Sequence, residues 1–408
     1  MILDLNQDMT ELKDNYGVFK GQVNGSNSEA DVVVSLINKQ GGEIESVRTV
    51  RVDELVYALL PQADYYAVAF EDTNGDFVYQ RGEAASWIDD PLVSWIDELD
   101  IDDQIDIPSL PIQEFELSSQ TALPEAMDFS LDALRSTTNR ADNFLRVITW
   151  EDPVFSKENV EMGMWRPQEF LKQVGFGLYV LEEFDPTKNV IVMVHGISDS
   201  PKVFRELSEV IPDKYQLLLF HYPSSSSLRY TSYALSESLD ELVQRYDVAQ
   251  LDVIAHSMGG LVSKGMIYQA KANPDLLEHL RLFISIASPF GGHAAAASGT
   301  RWAPVVAPVW WAMAPNSPYL SAIDSIDLSN GPRHHLFYTY SHERGGERQD
   351  TDTVVSVESQ LVESARTNAT AIYPIADSHV GVMTNDCIMS MIPAILENGT
   401  KPVTIPGC

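Results

Sequence analysis

The strongest constraint on the fold is a series of short, continuously apolar runs that begins after residue 160. Such runs are typical of strands buried on both faces of a sheet. Helical periodicity between them, as in residues 232–246, indicates crossover connections, so the pattern predicts an α/β fold with a mostly parallel sheet flanked by helices. The runs are residues 177–182, 189–194, 216–220, 251–255, 282–287 and 335–340.

The first third of the chain has a different pattern, with alternating strands separated by Gly, Asn and Asp. Together these features predict a small all-β sandwich. Residues 131–147 have the apolar spacing of a helix. We therefore predict a β-sandwich domain over residues 1–115, a helical connector over 116–159 and an α/β domain over 160–408. The predicted strands of the sandwich are residues 31–37, 46–52 and 65–70.

The charge balance excludes several classes of partner. The chain of 408 residues has 27 basic and 59 acidic residues, a net charge of −32. With no basic run, it is not expected to bind nucleic acid, because that surface needs clustered Lys and Arg. The acidity suits either solubility or an acidic docking surface. No run of about 18 apolar residues occurs, so no membrane-spanning helix is predicted, and the opening residues lack the pattern of a signal peptide.

The most specific local motif is residues 253–260, VIAHSMGG, in which an apolar strand leads through a turn into a helical stretch. A nucleophilic serine on such a sharp turn needs small residues two positions before and after it, here Ala255 and Gly259. The N–H groups of the helix that follows can stabilise negative charge beside the serine. The motif predicts Ser257 as a nucleophile; the alternative is a helix N-cap without a catalytic role.

A serine nucleophile needs a base and a carboxylate that orients it. On this type of scaffold the expected order along the chain is Ser, then Asp or Glu, then His. Asp352 follows the strand at 335–340, and His379 follows a short strand at 371–374. We predict them as acid and base, with Asp350 or Asp386 as alternative acids and a structural role as the alternative for the histidine.

The oxyanion hole of such a site uses two backbone N–H groups. One is predicted from Met258, directly after the serine, and the other from Ile197 in the loop after the strand at 189–194. Gly196 allows this loop to approach the substrate closely. The alternative for the loop is a structural strand end.

The segment after the strand at 282–287 has no Asp or Glu between Glu278 and Asp324. Its apolar residues and prolines suit a lid over an acyl pocket, residues 293–322, or an ordinary buried helix. The predicted substrate-binding residues are Phe290, Trp302, Val306, Trp310 and Trp311.

Two further features concern metals and thiols. Asp72, Asn74, Asp76 and Glu83 have the spacing of oxygen ligands in a calcium loop, although Phe77 stands where such loops need glycine. The alternative is an acidic β-turn. Catalysis itself is expected to need no cofactor. The only cysteines, Cys387 and Cys408, are either a disulfide or two free thiols.

The motifs HGISDSP, AHSMGG, ISIASPFGG, TDTVVSV and DSHVGV, in this order, resemble the α/β-hydrolase superfamily, and within it the lipases and the GPI inositol-deacylase-like group. The resemblance covers residues 160–408. It implies hydrolysis of carboxylic esters through an acyl-enzyme, with Ser257 as nucleophile, His379 as base and Asp352 as its orienter. The apolar lid segment favours lipid or acyl esters as substrates, and contact with lipid aggregates is expected. The first third is weakly similar to β-sandwich modules of bacterial surface proteins, which favours an exported protein.

Two alternatives remain open at this point. The same triad could transfer the acyl group to an alcohol instead of water. In the other alternative, the chain is a surface binding or adhesion protein whose hydrolase domain is inert.

Overall fold

The computed structural model describes residues 16–25, 30–40, 42, 44–50, 52, 55–73, 78–95, 110–124, 145–272, 274–294, 296, 308–329, 331–341, 350–399 and 401–407. The chain divides into two compact units. The first is residues 1–141 with 301–308, and the second is residues 142–300 with 309–408.

The described part of the first unit is all-β, as predicted, and consists of two four-stranded sheets. In one sheet β1 pairs antiparallel with β4 and β7 and parallel with β8. The other has the order β3-β2-β5-β6 and is antiparallel throughout. The strands are β1 Tyr16–Asn24, β2 Asp31–Asn38, β3 Ile44–Val50, β4 Leu55–Pro61, β5 Tyr65–Asp72, β6 Ala85–Asp89, β7 Val93–Trp95 and β8 Gln113–Glu116.

The two sheets of the first unit share one apolar core. Phe19 and Phe115 from one sheet lie in the same buried cluster as Val34 and Leu36 from the other. The rings of Phe19 and Phe115 meet edge to face, with centroids 6.2 Å apart. Alternate residues of each strand face this core, because side chains along a strand point to opposite sides.

The second unit is built on an eight-stranded sheet of order β16-β15-β14-β13-β11-β12-β10-β9. All six apolar runs are strands of this sheet, and every pair is parallel except β10 with β12. The predicted fold class is thereby confirmed. The strands are β9 Leu145–Val147, β10 Gly177–Val180, β11 Asn189–Val194, β12 Tyr215–His221, β13 Leu251–His256, β14 Leu280–Ile286, β15 Arg333–Tyr340 and β16 Ala369–Ala376.

Helices cover both faces of this sheet. Ile191 and Met193 belong to a core that includes the C-terminal helix, while Val190, Val192 and Val194 are equally buried on the opposite side of the same strand. The helices are α1 Lys157–Trp165, α2 Pro167–Gln173, α3 Arg205–Ser208, α4 Leu228–Tyr246, α5 Met258–Gln269, α6 Pro274–His279, α7 Pro308–Met313, α8 Pro318–Asp324, α9 Val357–Gln360, α10 Glu363–Asn368 and α11 Asp386–Asn398.

One local prediction is wrong. Leu145–Val147, assigned to a helix from apolar spacing, is a strand that pairs in parallel with β10. Backbone pairing at the open edge of the sheet stabilises an extended conformation there, which periodicity within the segment does not reveal. The remainder of that predicted helix, residues 131–144, lies outside the described residues. Where the chain is described, no helix combines the length and apolarity needed to cross a bilayer.

Candidate active site

Ser257 occupies a strained turn between β13 and α5. Its backbone has φ 53° and ψ −128°, a conformation that non-glycine residues rarely adopt. The turn is held by two backbone hydrogen bonds, from Ser257 N to Ile286 O at 2.8 Å and from Gly260 N to Ser257 O at 2.9 Å. Strain of this kind persists where the surrounding structure enforces it, and it is common at catalytic residues.

The small residues around the serine are required by close packing. A Cβ atom on Gly259 would lie 2.1 Å from the carbonyl oxygen of Val194, at the end of β11. A Cβ atom on Gly196 would lie 2.9 Å from the Cβ of Ser257. Ala255, two residues before the serine, is fully buried. The turn is therefore pressed against the loop that follows β11.

The structure brings the three predicted catalytic side chains together. Nε2 of His379 lies 2.8 Å from Oγ of Ser257, and Nδ1 of His379 lies 2.8 Å from Oδ2 of Asp352. All three residues are buried. Because His379 bridges the other two, a proton that leaves the serine can pass to Nε2 while the carboxylate stabilises the resulting imidazolium.

The carboxylate of Asp352 is held in its ionised form by four hydrogen-bond donors. Oδ1 accepts from the backbone N–H groups of Val354 and Val355, at 3.0 and 2.7 Å. Oδ2 accepts from His379 and from the hydroxyl of Thr339, the latter at 2.6 Å. Burial acts to raise the pKa of Asp352, but the interactions with His379, Thr339 and the backbone outweigh it and the pKa is lowered.

Sequence reasoning missed Thr339. The residue lies near the end of β15, and its backbone N–H donates to Oε1 of Gln360 at 2.8 Å. The only signal was its place in the predicted strand that precedes the acid. Of the alternative acids, Asp350 is exposed and Asp386 lies in the first turn of α11.

The predicted oxyanion loop lies against the nucleophile. Tyr222 donates its hydroxyl to the carbonyl oxygen of His195 at 2.6 Å, and Ser198, with φ 52°, donates its backbone N–H to Oγ of Ser224 at 3.0 Å. Ile197 lies between these anchored residues, directly after Gly196. Met258 is the first residue of α5, where backbone N–H groups have no partner within the helix. Both predicted donors thus lie on segments that adjoin Ser257.

Two buried histidines, His195 and His221, lie next to each other beside the predicted oxyanion loop. Nε2 of His195 lies 3.2 Å from Nδ1 of His221, whose Nε2 lies 3.2 Å from Val154 O. Burial lowers the pKa of His195 to about 4. Burial and the neighbouring His195 hold the pKa of His221 well below its ordinary value. This pair was not predicted, although the sequence positions indicate it. His195 directly follows β11, and His221 is the last residue of β12. These two strands are parallel neighbours, and Val194 pairs with Phe220 at their ends.

The predicted oxyanion loop, which follows β11, also carries a carboxyl group, that of Asp199. The side chain of Asp199 is partly buried, and its Oδ1 accepts the backbone N–H of Ser200 at 2.7 Å. Burial raises the pKa of Asp199 to about 6, against the opposing effects of that hydrogen bond and of His379. Asp199 lies in the quoted HGISDSP motif but was not assigned a role from the sequence.

The predicted substrate-binding residues lie in different environments. Phe290 is 1% exposed and its ring packs edge-on against Phe283 and His334, as in a core residue. Trp310 meets Trp165 edge to face at 6.5 Å, and Trp311 is 43% exposed. Trp302 and Val306 lie outside the described residues.

The described part of the predicted lid includes α7 and α8. Ser317 caps α8 by accepting the N–H of Leu320. The hydroxyl of Tyr319, on α8, contacts Leu261 O at 2.9 Å and Oγ of Ser232 at 2.8 Å, which joins α8 to α5 and α4. Opening of this segment as a lid remains a prediction.

The predicted calcium loop is only partly described, because Asn74 and Asp76 lie outside the described residues. Oε1 of Glu83 accepts both the N–H and the hydroxyl of Thr73, and Oε2 accepts the N–H of Gln80. These bonds close a turn around the carboxylate. Within the described ranges, no group of three or more His, Cys, Asp or Glu side chains could hold a metal. A calcium site involving Asp72 stays a prediction.

Comparison with known proteins agrees with this geometry. Residues 185–316 match the family model described as "Putative serine esterase (DUF676)". A curated relative, the Uncharacterized hydrolase YugF of Bacillus subtilis, is 26% identical over 117 residues, 27% of this chain and 42% of its own length. The chain therefore matches less than half of that relative.

Solved structures with a similar arrangement include two lipases and a hydrolase. Bacillus licheniformis lipase BlEst2 in mature form is 15% identical, with TM-score 0.41, covering 54% of this chain and 95% of its own. Aspergillus fumigatus lipase B is 15% identical, TM-score 0.39, covering 55% and 57%. The hydrolase olei00960 from Oleispira antarctica is 15% identical, TM-score 0.38, covering 62% and 99%. These likenesses are too distant to inform on activity.

The family match lies within residues 160–408, the region for which the resemblance was predicted. The matched segment includes β11, the predicted oxyanion loop, β13 and the Ser257 turn, all within the second unit. The second unit is therefore an α/β domain with a mostly parallel sheet, and residues 185–316 match a family described as "Putative serine esterase (DUF676)".

Proposed function

We propose that the protein is a serine hydrolase of carboxylic esters that acts on uncharged acyl or lipid esters through an acyl-enzyme. The observation that carries the proposal is the hydrogen-bonded series Ser257 Oγ, His379 Nε2, His379 Nδ1 and Asp352 Oδ2, with both contacts at 2.8 Å. The description of the matching family as a serine esterase supports it.

In the first half of the reaction, Oγ of Ser257 attacks the carbonyl carbon of the ester and its proton passes to Nε2 of His379. The carbonyl oxygen becomes an oxyanion, which accepts hydrogen bonds from the N–H groups of Met258 and Ile197. When the tetrahedral intermediate collapses, the C–O bond to the alcohol breaks and His379 donates its proton to the leaving oxygen.

In the second half, water attacks the acyl-enzyme and gives one proton to His379. The acid product leaves as the proton returns to Oγ of Ser257. Asp352 stays ionised throughout, in keeping with its four donors and lowered pKa. It keeps Nδ1 of His379 protonated, so Nε2 is the atom that exchanges protons with the serine.

The surroundings of the triad support uncharged lipid esters. Val354, two residues after Asp352, is 50% exposed, and Val380, directly after His379, is 59% exposed. Trp311, on α7, is 43% exposed. His293 connects Val354 to α7. Its side-chain Nε2 lies 2.7 Å from the carbonyl oxygen of Val354, and the backbone N–H of His293 donates to the carbonyl oxygen of Met313, the last residue of α7. Exposed apolar side chains favour contact with lipid, and the net charge of −32 disfavours anionic aggregates.

The test is hydrolysis of p-nitrophenyl esters of graded chain length by the full chain, by Ser257→Ala and by Ser263→Ala. Ser263 is the matched control, because it is also buried on α5 but donates its hydroxyl only to Gly259 O one turn earlier. We expect Ser257→Ala to abolish ester cleavage and Ser263→Ala to keep it. Cleavage that survives Ser257→Ala would refute the mechanism.

The same assay separates the alternatives. With an added alcohol, free acid as the main product indicates hydrolysis, whereas a new ester indicates acyl transfer. If no ester were cleaved by the wild type, a binding role of the N-terminal unit would become the leading hypothesis. Parallel reactions with added calcium and with chelator test the loop containing Asp72 and Glu83.

We also propose that Cys387 and Cys408 form a disulfide and that the protein is exported, as its acidity suggests. Cys387 lies in the first turn of α11, and Cys408 lies outside the described residues. Thiol titration of the denatured protein before and after reduction tests the pairing. Two thiols before reduction would remove this support for export.

A further inference from the structure

His256 is a buried histidine that the proposed reaction does not use. It is the last residue of β13, directly before the nucleophile, and is 2% exposed. Its Nε2 lies 2.9 Å from the backbone carbonyl oxygen of His379, and the two rings are 5.0 Å apart. The side chain therefore contacts the main chain of the catalytic base and not the nucleophile.

The contact determines the tautomer of His256. A carbonyl oxygen only accepts hydrogen bonds, so Nε2 of His256 must carry the proton. Nδ1 is then an acceptor, and it is buried without a hydrogen-bond partner in the described structure. Burial and the neighbouring His379 lower the pKa of His256 to about 3, so the ring is neutral at any working pH.

The unpartnered Nδ1 is unfavourable for folding, because a buried polar atom loses its hydrogen bonds to water. An apolar residue at this position would avoid that cost. The presence of histidine is therefore best explained by what its other nitrogen does for His379.

His379 is held at three points. Asp352 binds it twice, by the side-chain contact to Nδ1 at 2.8 Å and by accepting the backbone N–H of His379 at 3.0 Å. His256 supplies the third bond, to the carbonyl oxygen. The first two come from the loop of the acid. The third comes from the strand that carries the nucleophile, so it ties the base directly to the element that positions Ser257.

We propose that His256 is a positioning residue for catalysis: its Nε2–H holds the main chain of His379 and thereby sets the 2.8 Å contact between Nε2 of His379 and Oγ of Ser257. This inference rests on the proposed function. A displacement of the base by about 1 Å is enough to lower the rate by about 100-fold.

The experiment compares His256→Gln with His256→Asn. The amide nitrogen of glutamine reaches the place of Nε2, whereas that of asparagine reaches only the place of Nδ1. We expect His256→Asn to lower kcat on p-nitrophenyl butyrate by about 10- to 100-fold with KM nearly unchanged. The rate of labelling by a fluorophosphonate should fall by the same factor. His256→Gln should restore most of both rates.

Equal activity of the two variants, whether both are near wild type or both equally impaired while folded, would overturn the proposal. Should neither variant fold, the wild type still provides a test by NMR with 15N-labelled histidine. His256 should show the Nε2–H tautomer at neutral pH, and the Nδ1–H tautomer would contradict the inference. Failure of the proposed function is distinguishable, because the wild type would then show neither ester cleavage nor labelling.

Discussion

Acidification should unfold the α/β unit at a pH where most proteins are stable. His195, His256, His334 and His335 are all buried, with at most 2% exposure. Burial lowers their pKa values to about 4, 3, 3 and 4 respectively. In the unfolded chain each would have a pKa near 6.5. The unfolded state therefore binds these four protons first as the pH falls.

The sign and size of the effect follow from proton linkage. Stability falls wherever the unfolded state binds more protons, here from about pH 6.5 downwards. At pH 5 each histidine lowers the free energy of unfolding by about 2 kcal/mol, so the four together lower it by about 8 kcal/mol. Asp199 acts in the opposite direction, because its pKa is raised to about 6, and it offsets about 1 kcal/mol. The net loss is comparable to the whole stability of a typical domain, about 5–15 kcal/mol.

The measurement is guanidinium unfolding at pH 7.5 and at pH 5, followed by circular dichroism at 222 nm, since the described helices belong to the second unit. His334→Gln is the control variant. Nε2 of His334 contacts Oγ of Ser285 at 2.8 Å, a bond that glutamine can replace without titrating. The His334→Gln variant should reduce the pH-dependent loss of stability by about 2 kcal/mol. A wild-type loss below about 3 kcal/mol, or no change in the variant, would refute the reasoning.

Four substitutions test other parts of the structure. Asp352→Asn should lower kcat by about 10³- to 10⁴-fold without unfolding the chain, because an amide does not hold Nδ1 of His379 protonated; steady-state kinetics near the wild-type rate would contradict this. Gly259→Ala should prevent correct folding, since its Cβ would lie 2.1 Å from a carbonyl oxygen, and a soluble active variant would show that the turn adapts. Lys264, 2% exposed, pairs at 2.9 Å with Asp324, which is 35% exposed. Asp324→Asn should therefore destabilise more than Lys264→Met, by about 2 kcal/mol or more in denaturant unfolding, because it leaves a buried ammonium without its carboxylate; the reverse order would contradict this.

The strands and the nucleophile turn were predictable because their signals are local. Strands buried on both faces are typically apolar over about four to eight consecutive residues, and all six such runs form strands. The turn at Ser257 needs small neighbours for steric reasons that apply to any sequence: a Cβ atom on Gly259 would lie only 2.1 Å from the carbonyl oxygen of Val194. The edge strand Leu145–Val147 was missed, because its conformation depends on pairing with β10.

The sequence by itself determined the α/β class, the position of the nucleophile and the order of serine, acid and base, since each depends on residue type and spacing along a short stretch of chain. Only the tertiary structure decided which polar groups support them. Thr339 reaches Asp352 across 13 positions, and His256 reaches His379 across 123. Contacts of this kind arise from the sheet order and the packing of loops at the carboxyl ends of the strands, which place residues distant in sequence within hydrogen-bond distance.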